Sequence, residues 1–580
     1  MRTVPKLYAD RAVALLERAI EAGYSNYSHM QEDPDLDPIR DHGGFLALMK
    51  PGNLDLRYTA VWNESSQFES KESHGLSPEK HLQQCRRFQD QGYRLVSVSA
   101  ASVNGDLVTA SVWHRPTISR EAREVLARRQ ANAAIAMARL SQHDKLLPAL
   151  RVTDDPESLT QFVHRCRESR ITTTELLELL DQTDQTRQAL NGEPRKIEDR
   201  VLFGLLLALG EFPLSDVPES DRSDVLDRIA HWFANDPSSG IHGATGWLLR
   251  QWGQTDTVKR VDQTPLAYDP NREWFTLAIE AGDQTFHQTY VVIQPGEYDI
   301  GSPADEPGRS SDETAHRVRL TRPVAILDRE VTRGEYEASG DSINNQQYSP
   351  TLDHPMVAPS WYDSVNYCRW LSERAGFTEA DQAYADPKTL DKATYPLDGD
   401  SGSPKNWPVD LAKPGFRLPT EAEWEIAARV GMRSMYGFGS DENLLGRYAW
   451  CLDNSNRQTH VAKELRPNLG GLFDMHGNVF EWCHDWNAGY ATSSMQVDPK
   501  GGQTGAGRVL RGGSWGYDAA NCRAASRYTN VPTLRSTNRG FRLALSFPSG
   551  ESPEAEQEPR AEPGGGGTEG AQAEPRPEMP

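Results

Sequence analysis

A chain of 580 residues is too long for one hydrophobic core, and its 37% hydrophobic and 25% charged residues make an ordinary soluble composition. A formal charge of −21 argues against a nucleic-acid-binding surface, and no apolar run is long enough to span a membrane. The N-terminus has no hydrophobic signal core, and Cys85, Cys166, Cys368, Cys451, Cys483 and Cys522 form no CxxC, so buried, reduced thiols in a cytoplasmic protein are expected.

Residues 1–50 read as a helical end. Leu7 to Ala22 places Val13, Leu16 and Ile20 on one helical face. The stretch beginning AVALLERAIEAG resembles the end of a tetratricopeptide array; a plain helical cap on the next domain reads equally well.

Residues 51–117 predict a small α+β module. Tyr58 to Trp62 alternates as a strand. Ser77 caps a helix to about Gln91, with Pro78 at its first position. Tyr93 to Ser99 and Val108 to Trp113 are strands joined through Asn104-Gly105, a hairpin signal. Similar segments occur in large multidomain bacterial proteins. His74, His81 and His114 are too dispersed to suggest a metal site.

Residues 118–255 are helical, with ANAAIAMARL, VLFGLLLALG and IHGATGWLLRQWG separated by polar turns. They resemble HEAT-type helical pairs, which imply a scaffold that engages a protein partner. Residues 256–273 read as a polar linker.

Residues 274–546 predict the last folded domain. Tyr290 to Ser302 gives a strand, a Pro-Gly turn and a strand. Thr332 caps a helix, Trp361 to Ala375 is another, and 377–413 is a long surface insertion. Residues 547–580 lack aliphatic side chains other than Ala and read as a disordered acidic tail.

Four segments carry the strongest signal: FRLPTEAEWEIAAR from Phe416, GLFDMHGNVFEWCHDW from Gly471, RVLRGGSW from Arg508, and NCRAASRYTNVPTLRSTNRGFRLAL from Asn521. In this order they resemble the formylglycine-generating enzyme, or sulfatase-modifying factor, family, a variant of the C-type-lectin fold. The fold class expected is therefore multidomain α+β, with a helical repeat-like region before a lectin-like domain. The resemblance implies an oxidase that converts a sulfatase cysteine to formylglycine with oxygen and a copper ion held by two cysteines.

In the family's pattern the first cysteine follows RGGS closely and the second lies five residues later. Counted from RGGS, Tyr517 stands at the first position and Cys522 at the second; counted back from Arg523 and Arg527, Cys522 matches neither. A phenol is a hard, high-pKa group and a poor copper(I) ligand, so copper is not expected unless Cys451 or Cys483 approaches Cys522. Ser514 and Trp482 match the family's catalytic-site serine and tryptophan. A structural calcium is the other cofactor implied, on Gly477, Asn478, Val479 and Glu481, with Asp474 and Asp485 close by. The competing reading pairs Glu481 with Arg511 or Arg542.

Thr420 with Glu423 is a capping box. Arg511, Arg523, Arg527, Arg535, Arg539 and Arg542 read as carboxylate-paired struts or as a site for an anion. Variable proteins of diversity-generating retroelements end in a similar segment, and by that likeness Tyr517, Asp518, Asn521, Tyr528, Thr529, Asn530, Thr537 and Asn538 would contact a ligand. A sulfoxide-synthase relative would need clustered histidines, whereas His143, His164, His231 and His242 are far apart. The expectation is a divergent or non-catalytic binding protein. An active oxidase and a variable ligand-binding protein remain the alternatives.

Overall fold

The computed structural model describes Val13, Leu15 and Leu16 and residues 68–90, 93–103, 106–116, 120–152, 154–343, 345–393, 397–398, 405–490 and 495–547. The strand expected at 58–62, the Asn104-Gly105 turn, the acidic tail and most of the N-terminal helix lie outside the described residues. Two compact units divide at Arg123 and Glu124.

The first unit holds β1 (Phe68–Leu76), α1 (Pro78–Asp90), β2 (Arg94–Val103) and β3 (Asp106–Pro116). The strands form an antiparallel sheet in the order β1-β3-β2. Phe88, Tyr93 and Trp113 make its core. His81 Nε2 lies 2.6 Å from Ser111 Oγ, so this histidine is a satisfied core residue.

α2 (Arg120–Arg139) crosses the division. The second unit continues with α3 (His143–Ala149), α4 (Glu157–Arg165), α5 (Thr173–Gln188), α6 (Gly192–Leu209), α7 (Arg222–Asn235), α8 (Ser239–Gln251) and α9 (Thr255–Asp262). α5 packs on α6 and α7 on α8, while α6 also receives α4 and α8. The run Val201 to Leu209 is buried on every side, as an all-apolar helix must be. The expected linker is not a free tether. α9 buries Val258, Arg250 Nη2 lies 2.9 Å from Asp262 Oδ2, and Leu266 exchanges both backbone hydrogen bonds with Thr276. The outward side of α9 is polar, which is why its sequence reads as linker.

The lectin-like domain follows: β4 (Trp274–Ala281), β5 (Gln284–Ile293), β6 (Gly296–Ile300), β7 (His316–Leu320), β8 (Val324–Leu327), α10 (Arg333–Glu337), α11 (Trp361–Arg374), α12 (Glu421–Arg429), β9 (Phe480–Trp486), β10 (Gln496–Val497), β11 (Arg508–Arg511), β12 (Tyr528–Asn530), β13 (Arg539–Gly540) and β14 (Ala544–Ser546). Three sheets result, ordered β14-β8-β5-β4, β10-β7-β6 and β12-β11-β9-β13. The capping boxes of α10 at Thr332 and Glu335 and of α12 at Thr420 and Glu423 are both formed.

The helices and this domain share a core. Leu159, Phe203, Ile241 and Trp247 lie in one apolar cluster with Phe438, Tyr448, Leu469 and Phe473. Backbones meet where Gly471, at φ +79°, faces the Ser239 carbonyl and Gly243. Polar ties surround the contact: Ser440 N–H donates to Glu157 Oε2 at 2.6 Å, Gln161 to Asp441 at 2.8 Å, and Arg466 pairs with Glu211. The face made by α4, α6 and α8 is therefore occupied by the chain's own domain, unlike that of a free-standing repeat array.

Candidate functional site

The candidate site is built on β9 and β11 and the turn that leaves β11. Gly512 and Gly513 sit at φ +92° and +76°, and a Cβ on Gly513 would lie 2.6 Å from Cys522 Sγ. The glycine turn thus closes directly over the Cys522 thiol. Cys522 is 0% exposed. Burial pushes its thiol well above the ordinary range, the charge of Cys451 adds to this, and the Ser514 N–H offsets part. Cys451 is itself buried and pushed up, and all six cysteines are free. Cys483 sits in β9, its thiol also raised by burial.

Ser514 is buried, with no partner for its hydroxyl. Trp482 is buried and donates from Nε1 to the Pro359 carbonyl at 3.0 Å. Asp518 Oδ1 accepts from the Asn521 backbone and amide, so these two expected ligand contacts cap their own short turn. Tyr517 and Tyr528 are half-buried and flank Phe480, their rings 4.9 and 5.0 Å from it. Thr529 and Asn530 lie on β12. The Thr537 carbonyl accepts from Trp515 Nε1 at 3.1 Å, and the Asn538 carbonyl from Phe480 N at 2.9 Å.

The residues expected to hold calcium do not converge as a set. Gly477 and Asn478 have positive φ, at +86° and +53°. The Asn478 amide is satisfied by the His460 backbone, accepting at 3.0 Å and donating at 3.2 Å. Val479 is buried. Glu481 has both oxygens on Arg542 at 2.6 Å, and Trp424 Nε1 adds a 2.7 Å bond. Sequence reading missed Glu330. It is fully buried with neither carboxylate oxygen partnered. Burial pushes its carboxyl well up, with Asp474 and Glu481 adding to the rise. Asp474 is raised to about 6, again chiefly by burial. The signal available was weak: Glu330 follows Asp328 and Arg329 directly after the apolar strand Val324–Leu327. Asp485 is buried and takes a hydrogen bond from Glu421 N instead. Among the described residues no three His, Cys, Asp or Glu side chains gather as a metal-ligand group.

The arginines are mostly struts. Arg511 reaches Glu425 at 2.5 Å, Arg523 reaches Glu306 and Glu313 at 2.6 and 2.8 Å, Arg527 reaches Glu421 at 2.6 Å, and Arg542 holds Glu481.

The description "Sulfatase-modifying factor enzyme 1-like domain" fits residues 277–547, and "Polyglycine hydrolase-like, structural repeat" fits residues 69–116. The formylglycine-generating enzyme of Streptomyces coelicolor is 33% identical over 285 residues, which cover 44% of this chain and 88% of that protein. The formylglycine-generating enzyme of Thermomonospora curvata is 30% identical over 227 residues, 36% of this chain and 59% of its own. The solved structure of Treponema denticola variable protein 1 is 30% identical, covers 47% of this chain and 98% of its own, and superposes with a TM-score of 0.39. The chain belongs to the sulfatase-modifying factor family, through a C-terminal domain similar to that of formylglycine-generating enzymes.

Proposed function

We propose that this family member is not a cysteine oxidase and that its lectin-like domain serves binding, through the face around Tyr517 and Tyr528. The observation that carries the reading is Cys522 sealed beneath Gly513 with its thiol held protonated. Copper(I) needs accessible thiolates, and a protonated, covered thiol does not fit it. Copper(I) titration of the reduced chain, with Cys522→Ala in parallel, tests this. Equal, weak binding by both supports the reading; tight one-to-one binding lost in Cys522→Ala overturns it and implicates Cys451.

A structural calcium belongs to the same reading. Glu330, Asp474 and Glu481 act on one another with Arg542 as their cation. Three buried carboxylates against one guanidinium are satisfied by protons or by a divalent ion. Glu330 and Asp474 would supply its carboxylate ligands, since Glu481 is already held by Arg542. Calcium well above its Kd should then stabilise the chain by about 2–3 kcal/mol relative to EDTA, an effect absent in Glu330→Gln. Identical unfolding curves in calcium and EDTA would exclude the ion.

A cytoplasmic setting fits the free thiols, and no helix among the described residues is long and apolar enough to cross a membrane. A protein partner on the helical region would use outward positions such as Thr174, Glu178, Asp181 and Gln185 of α5, since the inner face is taken. A pull-down lost on reversing the charge of Glu178 and Asp181, with folding intact, would support this; an unchanged pull-down would count against it.

A further inference from the structure

Six arginines lie between 511 and 542, and five of them have a carboxylate partner; even the exposed Arg535 meets Asp363 at 2.8 Å. Arg539 is the exception. It is 5% exposed, its Nε and Nη1 are buried with no hydrogen-bond partner, and it makes no ion pair among the described residues. A guanidinium in that state is expensive to bury. Burial lowers its pKa, and the groups that act back on it are the hydroxyls of Tyr528 and Tyr517.

Arg508 shows what a structural arginine without a carboxylate looks like in this fold. Its guanidinium is sandwiched between Trp361 and Trp486, 3.8 Å from each ring, and Nη1 donates to the His484 carbonyl. That stacking compensates the cation. Arg539 has one ring, Tyr528, at 6.0 Å, the outer limit of such an interaction. Its backbone is fixed: β13 pairs with β9, and the Arg539 carbonyl accepts from Ala358 N at 2.9 Å. The cation is therefore held in place beside Tyr528, whose hydroxyl is its one polar side-chain partner, with no carboxylate to balance its charge among the described residues.

We propose that Arg539 is the anion-recognising residue of this face, and that it takes a carboxylate carried on a flat or apolar group. The inference rests on the reading of the Tyr517–Tyr528 face as a binding surface. The guanidinium matches a carboxylate in shape and charge. Tyr517 and Tyr528 supply the apolar wall, with Phe480 buried behind them. One desolvated arginine balances one negative charge, not the two of a phosphate. The chain's −21 charge also disfavours a polyanion.

The test is calorimetric titration of the full chain with benzoate, with benzamide and inorganic phosphate as comparisons, in wild type, Arg539→Gln and Arg539→Lys. The expected result is saturable benzoate binding, no benzamide binding, and weakening by about tenfold or more in Arg539→Gln with partial retention in Arg539→Lys. If Arg539→Gln fails to fold, the wild-type contrast of benzoate with benzamide decides. Equal binding of the two, benzoate binding unchanged in a folded Arg539→Gln, phosphate binding tighter than benzoate, or no saturable binding of benzoate overturns the proposal. Oxygen uptake is a separate readout: a chain that binds benzoate through Arg539 and also oxidises cysteine would end the non-oxidase reading and leave this one standing.

Discussion

Glu425→Gln is expected to lower the unfolding free energy by about 3–5 kcal/mol, the cost of breaking a buried ion pair from one side. Glu425 is 0% exposed. Its Oε2 lies 2.5 Å from Arg511 Nη2, and its Oε1 accepts from Arg429 Nε at 2.8 Å and from Gly301 N at 2.7 Å. Arg511 in turn donates to the carbonyls of Ala524, Ala525 and Ser526. One carboxylate thus ties α12 to β11 and to the segment after Cys522. Its loss leaves two buried guanidinium groups short of an anion. Burial alone would raise the Glu425 pKa, but Arg429 and Arg511 outweigh it and hold the carboxyl below the ordinary range. An acid lowered in the folded state stabilises fully above its unfolded pKa of about 4.3, and that contribution is lost as pH falls through the folded value. The Gln variant should therefore lose most stability near neutrality and least in acid. Urea unfolding across pH measures both; a loss under about 1 kcal/mol at neutral pH would mean the network is redundant.

Gly471→Ala is expected to cost about 2–4 kcal/mol and to loosen the helices from the lectin-like domain. Gly471 is at φ +79°, and an added Cβ would lie 2.1 Å from the Ser239 carbonyl oxygen at the start of α8. The obstacle is backbone, which no rotamer change relieves. Gly243→Ala attacks the same contact from the other side, its Cβ meeting Gly471 Cα at 2.6 Å. Both variants should speed hydrogen exchange across α8 and the 437–473 segment, with less effect on β9 and β11. Exchange and stability like wild type in both would show that the shared core does not depend on this approach.

Local features were legible in the sequence. The Thr420–Glu423 capping box closes within four residues, and the segments from Phe416 and Gly471 were enough to place the lectin-like domain. Long-range pairing was not legible. Arg511 meets Glu425 across 86 residues, and Arg539 and Arg542 look alike on paper although one is paired and the other is not. Gly243 and Gly471 read as local glycines because their role is each other. Glu330 was hidden for the same reason, since the charged groups that act on it, Asp474, Glu481 and Arg542, lie more than a hundred positions away. Cys522 was visible as a thiol, but the glycine turn that covers it is a property of the fold.

The central claim, that the family's oxidase chemistry is absent here, is tested most directly by oxygen uptake. The reduced chain would be supplied with copper(I) and a cysteine-containing peptide and compared with Cys522→Ala. The expected result is no peptide-dependent uptake above the copper-only rate, and the same trace from both proteins. Uptake that requires copper and peptide and vanishes in a folded Cys522→Ala would contradict it.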